Sequence, residues 1–145
     1  MPAPWAYFDT SVLVKRYVRE QGSPRARVLL RRYRFLSSAV VPVEVMSALR
    51  RRRASGELSQ QNFAAILTRV REDRAYWQLV EVSPLVLAQA EELVQRAPVT
   101  TLDAIHVASA LAFQTASGIR IPFITGDTRQ QDAAGRAALD VVWVG

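Results

Sequence analysis

The sequence contains no cysteine, which excludes disulfide scaffolds, thiol catalysis and cysteine-based zinc sites. It has a single histidine, His106, so no histidine cluster is available to favour a softer metal. No apolar run approaches the ~20 residues of a membrane-spanning helix. Residues 1–7 lack the basic segment and apolar stretch of a secretory signal. Lysine is almost absent: Lys15 is the only one, and the other eighteen basic residues are arginines. Together these absences leave a soluble cytoplasmic protein, with no membrane partner, as the expectation.

What remains is an ordinary globular composition, 50% hydrophobic and 22% charged over 145 residues. That length suits one domain, 1–145, large enough to bury a core without a covalent or metal staple. Nineteen basic residues against thirteen acidic ones give a net charge of +6. A basic, arginine-rich chain attracts polyanions, because the guanidinium offers phosphate a planar, bidentate fork. Nucleic acid is the polyanion to consider first.

Short apolar runs alternate with helical periodicity along the chain. Strands are expected at 5–8, 35–37, 78–82, 122–125 and 141–144, where apolar or β-branched residues lie between breakers. Helices are expected at 11–19, from Pro24 with Ser23 as cap, from Pro42 to the Arg50–Arg53 run, after Ser59, from Pro84, from Thr100 or Thr101 to about 117, and at 128–138. The second of these helices carries Ala26, Leu29, Leu30 and Tyr33 on one apolar stripe. This alternation predicts an α/β fold with a mainly parallel sheet covered on both faces. In such folds ligands gather beyond the carboxyl ends of the strands.

Four acids fall at that edge. Asp9 directly follows the first strand and Asp127 the fourth, while Glu44 and Asp103 lie in the first turns of two helices. Each has a plainer role available as a helix cap or a dipole partner. Setting the four aside leaves nine acids against nineteen bases, +10 on the remainder, so the cluster stands out against its surroundings. Converging carboxylates repel and take up protons unless a cation lies among them. An all-oxygen ligand set favours a hard ion, Mg²⁺ or Mn²⁺. Such a centre within a cationic surface fits metal-assisted attack on a phosphodiester.

The segments Phe8-Asp9-Thr10-Ser11-Val12-Leu13-Val14-Lys15, Val43-Glu44-Val45, Thr101-Leu102-Asp103-Ala104-Ile105-His106-Val107-Ala108-Ser109-Ala110 and Ile124-Thr125-Gly126-Asp127 resemble the signature blocks of PIN-domain nucleases. Within that family they are most similar to VapC ribonuclease toxins of type II toxin–antitoxin pairs. The resemblance implies a three-layer α/β/α sandwich and a Mg²⁺- or Mn²⁺-dependent endoribonuclease. It carries the catalytic and metal-binding positions onto Asp9, Glu44, Asp103 and Asp127, with Glu44 acting through a water. It also implies an RNA substrate such as tRNA or rRNA, a cognate VapB-like antitoxin and a homodimer.

Other residues are read more plainly. His106, three residues after Asp103, is expected to support the site rather than act as a base, since metal-held water needs none. Thr10, Ser11 and Thr125 either cap helices or hydrogen-bond the carboxylates. Asp132 belongs to a solvated helical face. The Arg50–Arg53 run wraps around its helix, so it does not face one groove. Trp5, Trp77 and Trp143 adjoin strands and are assigned to core or interface.

Two enzyme alternatives fail on single residues. A phosphatase using an aspartyl nucleophile wants a second Asp two residues after the first, where Ser11 stands. A response-regulator receiver wants a lysine after a late strand, and Lys15 is early. The remaining alternative is a non-catalytic basic module that binds RNA or a partner and uses its acids as caps.

Overall fold

A computed structural model describes residues 2–145. Its five strands are β1 (Trp5–Phe8), β2 (Arg34–Ser38), β3 (Gln78–Val80), β4 (Pro122–Thr125) and β5 (Asp140–Trp143). They form one sheet in the order β3-β2-β1-β4-β5, and every pairing is parallel. β1 is the central strand: Tyr7 is in register with Leu36 of β2 and with Phe123 of β4.

The helices are α1 (Thr10–Tyr17), α2 (Ser23–Arg32), α3 (Val41–Ala54), α4 (Gln60–Arg74), α5 (Pro84–Arg96), α6 (Thr101–Ser117) and α7 (Thr128–Arg136). Strand geometry points successive side chains to opposite faces, and the core divides accordingly. Phe8, Phe35 and Ile124 pack on one side with Val12, Leu29, Val45, Leu49, Ile66 and Val70 from α1 to α4. Their sequence neighbours Tyr7, Leu36 and Phe123 pack on the other with Val107, Ala110 and Ala134 from α6 and α7. A third cluster joins α5 to α6 through Val86, Ala90, Ala104, Ile105 and Ala108. The result is the three-layer α/β/α sandwich expected from the strand–helix alternation. Each fully buried Leu, Val, Ile or Phe stabilises it by about 1.5–3 kcal/mol.

The parallel connections place α1, α3, α5 and α7 directly after strands, so their N-termini lie along the carboxyl edge of the sheet. Observed ends differ from the expected ones by a few residues. The helix expected at 11–19 stops at Tyr17, and the strand expected at 78–82 stops at Val80.

At α2 the cap is Gly22, not Ser23. Ser23 is buried inside the first turn, where its Oγ accepts from the Glu20 N–H at 3.0 Å and donates to the Val18 carbonyl at 3.1 Å. The serine thus ties the α1–α2 loop instead of capping. Gly22 has a φ of +85°, and a Cβ there would lie 1.8 Å from the Val144 carbonyl oxygen. Gly22→Ala is expected to cost about 2–5 kcal/mol, from the left-handed backbone and from a clash with main chain that has no side chain to yield. Thermal unfolding would read this as a large drop in Tm; an unchanged Tm would mean that the C-terminal segment moves aside freely.

Candidate active site

Asp9 is the first residue past β1. Its N–H donates to the Ile124 carbonyl at 3.1 Å, which ties the residue to the neighbouring strand β4. The side chain is buried, and both oxygens are engaged. Ser11 Oγ donates to Oδ1 at 2.5 Å, and Thr125 Oγ1 donates to Oδ2 at 2.6 Å. The two hydroxyls are themselves fixed by the next segment: Ser11 Oγ accepts from the Gly126 N–H at 2.9 Å, and Thr125 Oγ1 from the Asp127 N–H at 3.0 Å. Burial pushes the Asp9 carboxyl above the usual aspartate range. The influence of His106 and the two hydroxyls opposes this, and the negative charge of Asp127 adds to it.

Glu44, in the first turn of α3, forms a second centre. Its Oε1 accepts from Thr10 Oγ1 at 2.7 Å and pairs with His106 Nε2 at 2.6 Å. Burial pushes the Glu44 carboxyl up, but His106 and Thr10 together outweigh it, so Glu44 is held below the usual glutamate range. His106 is buried on α6, and its Nδ1 lies 2.7 Å from the Tyr7 hydroxyl. A carboxylate only accepts, so Nε2 carries the proton toward Glu44. On the other side of the ring, Nδ1 and the Tyr7 hydroxyl share a hydrogen bond. Tyr7 keeps its proton, because complete burial raises its pKa well above the usual tyrosine value.

The first turn of α6 brings Asp103 to the same edge. Its N–H donates to Thr100 Oγ1 at 3.3 Å, which caps the helix. Its carboxylate is therefore not used in capping, and Oδ2 is buried without a hydrogen-bond partner. Positions three apart share a helix face, so Asp103 lies on the side of α6 from which His106 reaches Glu44. Asp127 has the plainer role: its Oδ1 accepts from the Arg129 N–H at 2.9 Å and caps α7.

Among the described residues, no three Asp, Glu or His side chains are gathered closely enough to hold an ion by themselves. The donor set nevertheless suits a hard cation. Asp103 Oδ2 lacks a partner, and Asp9 is a buried carboxylate whose ionised form the protein disfavours; both are relieved by a positive charge. Mg²⁺ typically takes one or two protein carboxylates and completes its shell with waters and substrate phosphate.

Several surrounding residues fall where their sequence context placed them. Thr10, Ser11 and Thr125 all donate to site carboxylates. Asp132 pairs with Arg136 at 2.8 Å on the exposed face of α7. The arginine run points several ways: Arg51 donates to Ser47, Arg52 to Glu20 and Glu57, and Arg53 to the Leu58 carbonyl. Sequence reasoning missed Tyr7, which reads as one more apolar residue of a core strand; only its hydroxyl hints at a partner. It also missed the role of Lys15, which is buried and donates to the Gln21 carbonyl at 2.6 Å and to Glu20 at 3.3 Å. Its stem fills the space left by Gly126, where a Cβ would lie 2.6 Å from Lys15 Cε.

An all-parallel sandwich with acids from four separate segments along its carboxyl edge defines a class of α/β proteins with a polar site at the strand ends. The chain belongs to the PIN domain family, whose model matches residues 6–136. PIN domains are generally nucleases and typically use divalent metal ions. Among solved structures, the chain is similar to one titled a toxin–antitoxin complex from Klebsiella pneumoniae. The TM-score is 0.69 at 21% identity, covering 97% of this chain and 98% of that one. No curated protein matches the sequence. Among the described residues, no helix is long and apolar enough to cross a membrane.

Proposed function

We propose that this protein is a metal-dependent endoribonuclease and the toxin of a type II toxin–antitoxin pair, with Asp9, Glu44, Asp103 and Asp127 as its acidic residues. Two observations carry the reading: a buried, doubly hydrogen-bonded Asp9 past β1, and an Asp103 carboxylate in the first turn of α6 whose buried oxygen has no partner. Burying a carboxylate oxygen without a partner is costly, and a cation compensates it. Asp9 and Asp103 would hold Mg²⁺ or Mn²⁺, with Asp127 next to them. When bound, the ion activates water and offsets charge on the leaving oxygen.

The protein's own groups have separate tasks. Ser11 and Thr125 fix both oxygens of Asp9, so its carboxylate does not rotate when substrate enters. His106 and Thr10 both engage Oε1 of Glu44, which leaves Oε2 to accept from a water or an RNA hydroxyl. Held below the usual pKa, Glu44 acts as an acceptor at neutral pH. A groove of about 540 Å³, lined in part by Ser11, Gln21, Asp127 and Trp143, gives an approach to this edge. The likeness in fold, over nearly the whole length of both chains, to a protein of a toxin–antitoxin complex supports an antitoxin partner, and a homodimer and a cytoplasmic location belong to the same reading.

The test is cleavage of a mixture of tRNA and rRNA by wild type and by Asp103→Asn, each with Mg²⁺, Mn²⁺ or chelator. Discrete products are expected only for wild type with a metal. The second reading, a non-catalytic RNA-binding module, rests on the net charge of +6. It predicts intact RNA held equally well in chelator, and cleavage by wild type would eliminate it.

A further inference from the structure

The end of the molecule opposite the acids carries a different chemistry. A groove of about 410 Å³ opens at the amino ends of β1 and β2, with Trp5, Arg31, Tyr33, Arg34, Tyr76 and Trp77 in its wall. β1 has four residues, so this groove lies roughly 13 Å from the carboxyl edge. Every arginine–aromatic contact of this kind among the described residues occurs at this end: Arg34 lies 3.7 Å from the centre of the Trp5 ring, and Arg32 over Tyr33 and Arg16 and Arg69 over Tyr17 lie within 6 Å. A guanidinium resting over a ring spends its charge on the π face and keeps N–H donors available, and guanidinium donors suit phosphate.

The one acid in the wall, Asp73, is already neutralised. It accepts from Arg16 Nε at 2.9 Å and from the Tyr17 hydroxyl at 2.5 Å. Arg31 and Arg34 have no carboxylate within 4 Å among the described residues. Tyr76 is 85% exposed, more than any other large apolar or aromatic side chain described.

We infer that this groove is a second nucleic-acid site, an exosite that holds a single-stranded RNA segment by stacking on Tyr76 and by phosphate contacts to Arg31 and Arg34. The inference rests on RNA being the substrate, and it extends that reading to a surface remote from the acids. The chemistry favours RNA over a protein segment. A docked amphipathic helix uses exposed aliphatic side chains, and the exposed aliphatics here, such as Val43, Leu85, Leu87 and Val94, lie outside the groove. The exposed side chains of the groove are Arg31, Arg34 and Tyr76, and an aromatic ring beside cations is the combination that binds single strands without sequence preference. An exosite of this kind selects long or structured RNAs over short ones while leaving the bond-breaking chemistry unchanged.

The test measures binding of a labelled, roughly 20-nucleotide single-stranded RNA by fluorescence anisotropy, in chelator and over a range of salt. Tyr76→Ala is expected to weaken binding roughly 10-fold, with Tyr76→Phe restoring it. Arg31→Glu and Arg34→Glu should each weaken binding and reduce the magnitude of the salt slope by about 0.7 or more. With metal present, all four variants should cut a dinucleotide, too short to span both sites, at the wild-type rate.

Unchanged affinity and salt slope in the Tyr76→Ala and Arg31→Glu variants would overturn the exosite, as would a wild type that binds no RNA in chelator. If a labelled acidic peptide bound wild type and lost affinity in these variants while RNA did not, the groove would belong to a protein partner instead. Because binding is read without metal, these results stand apart from metal-dependent cleavage, which tests the nuclease reading itself.

Discussion

Asp9→Asn is expected to reduce RNA cleavage roughly 10³-fold or more while making the metal-free protein harder to unfold. The two effects share one cause. Asp9 is buried, and its carboxyl is raised above the usual range, first by desolvation. For an acid whose folded pKa exceeds its unfolded value, the folded state binds the proton more tightly. Its stability is greatest below the unfolded pKa, about 4, and declines as pH rises through the folded value. At neutral pH without a cation, ionised Asp9 is therefore a liability that asparagine removes.

Asparagine also fits the hydrogen bonds. Its oxygen accepts from Ser11, and its amide turns to Thr125 Oγ1, which then acts as acceptor. A gain of about 1 kcal/mol, or roughly 3 °C in Tm, is expected at pH 7 in chelator. The gap should close on acidification, as wild-type Asp9 takes up its own proton. Mn²⁺ should reverse the order by stabilising wild type and not the variant. Calorimetry of both proteins, with and without metal, checks each part. An Asp9→Asn protein that melts below wild type in chelator at pH 7 would show that the buried carboxylate is stabilising as it stands, and would remove the argument for a cation beside it.

The fold was legible because two periodicities alternate along the chain with little ambiguity. Phe8 and Tyr7 differ by one position and face opposite layers, and the same holds for Phe35 and Leu36. The site was legible in part. Acids directly after strands, such as Asp9 and Asp127, are visible in a linear sequence because parallel topology sends every strand end to one edge. Their division of labour is not visible. Thr100, Asp103 and Asp127 all look like caps, yet Thr100 caps α6 and Asp127 caps α7, while Asp103 keeps its carboxylate unspent. That outcome depends on side-chain rotation within one helical turn, which spacing does not encode. Tyr7 was hidden for a different reason: a hydroxyl at a core position is silent until the structure supplies His106, 99 residues away, as its partner. Ser23 misled because a Ser-Pro pair signals a cap, and a left-handed glycine one residue earlier took that position.

His106→Ala is expected to be the most damaging single change at the Glu44 centre, costing about 2–4 kcal/mol. It strips Glu44 of its closest partner and leaves the fully buried Tyr7 hydroxyl facing a void. Two amide replacements separate these losses. Glutamine places an amide near the position of Nε2 and should restore much of the link to Glu44, and with it the cleavage rate. Asparagine places one near Nδ1 and should recover the Tyr7 contact, hence stability, but little activity. The pH dependence supplies the sign. Glu44 has a lowered pKa in the folded protein, so its contribution to stability is present above the unfolded value, about 4.3, and is lost as pH falls through the folded one. Without His106, burial is no longer outweighed and the Glu44 pKa rises, which turns this contribution into a penalty at neutral pH. The difference in Tm between wild type and His106→Ala should therefore be smallest near pH 4 and grow toward pH 7. A gap that stays constant across this range would mean that His106 supports the fold by packing alone, and that the charge of Glu44 is set by something other than the imidazole beside it.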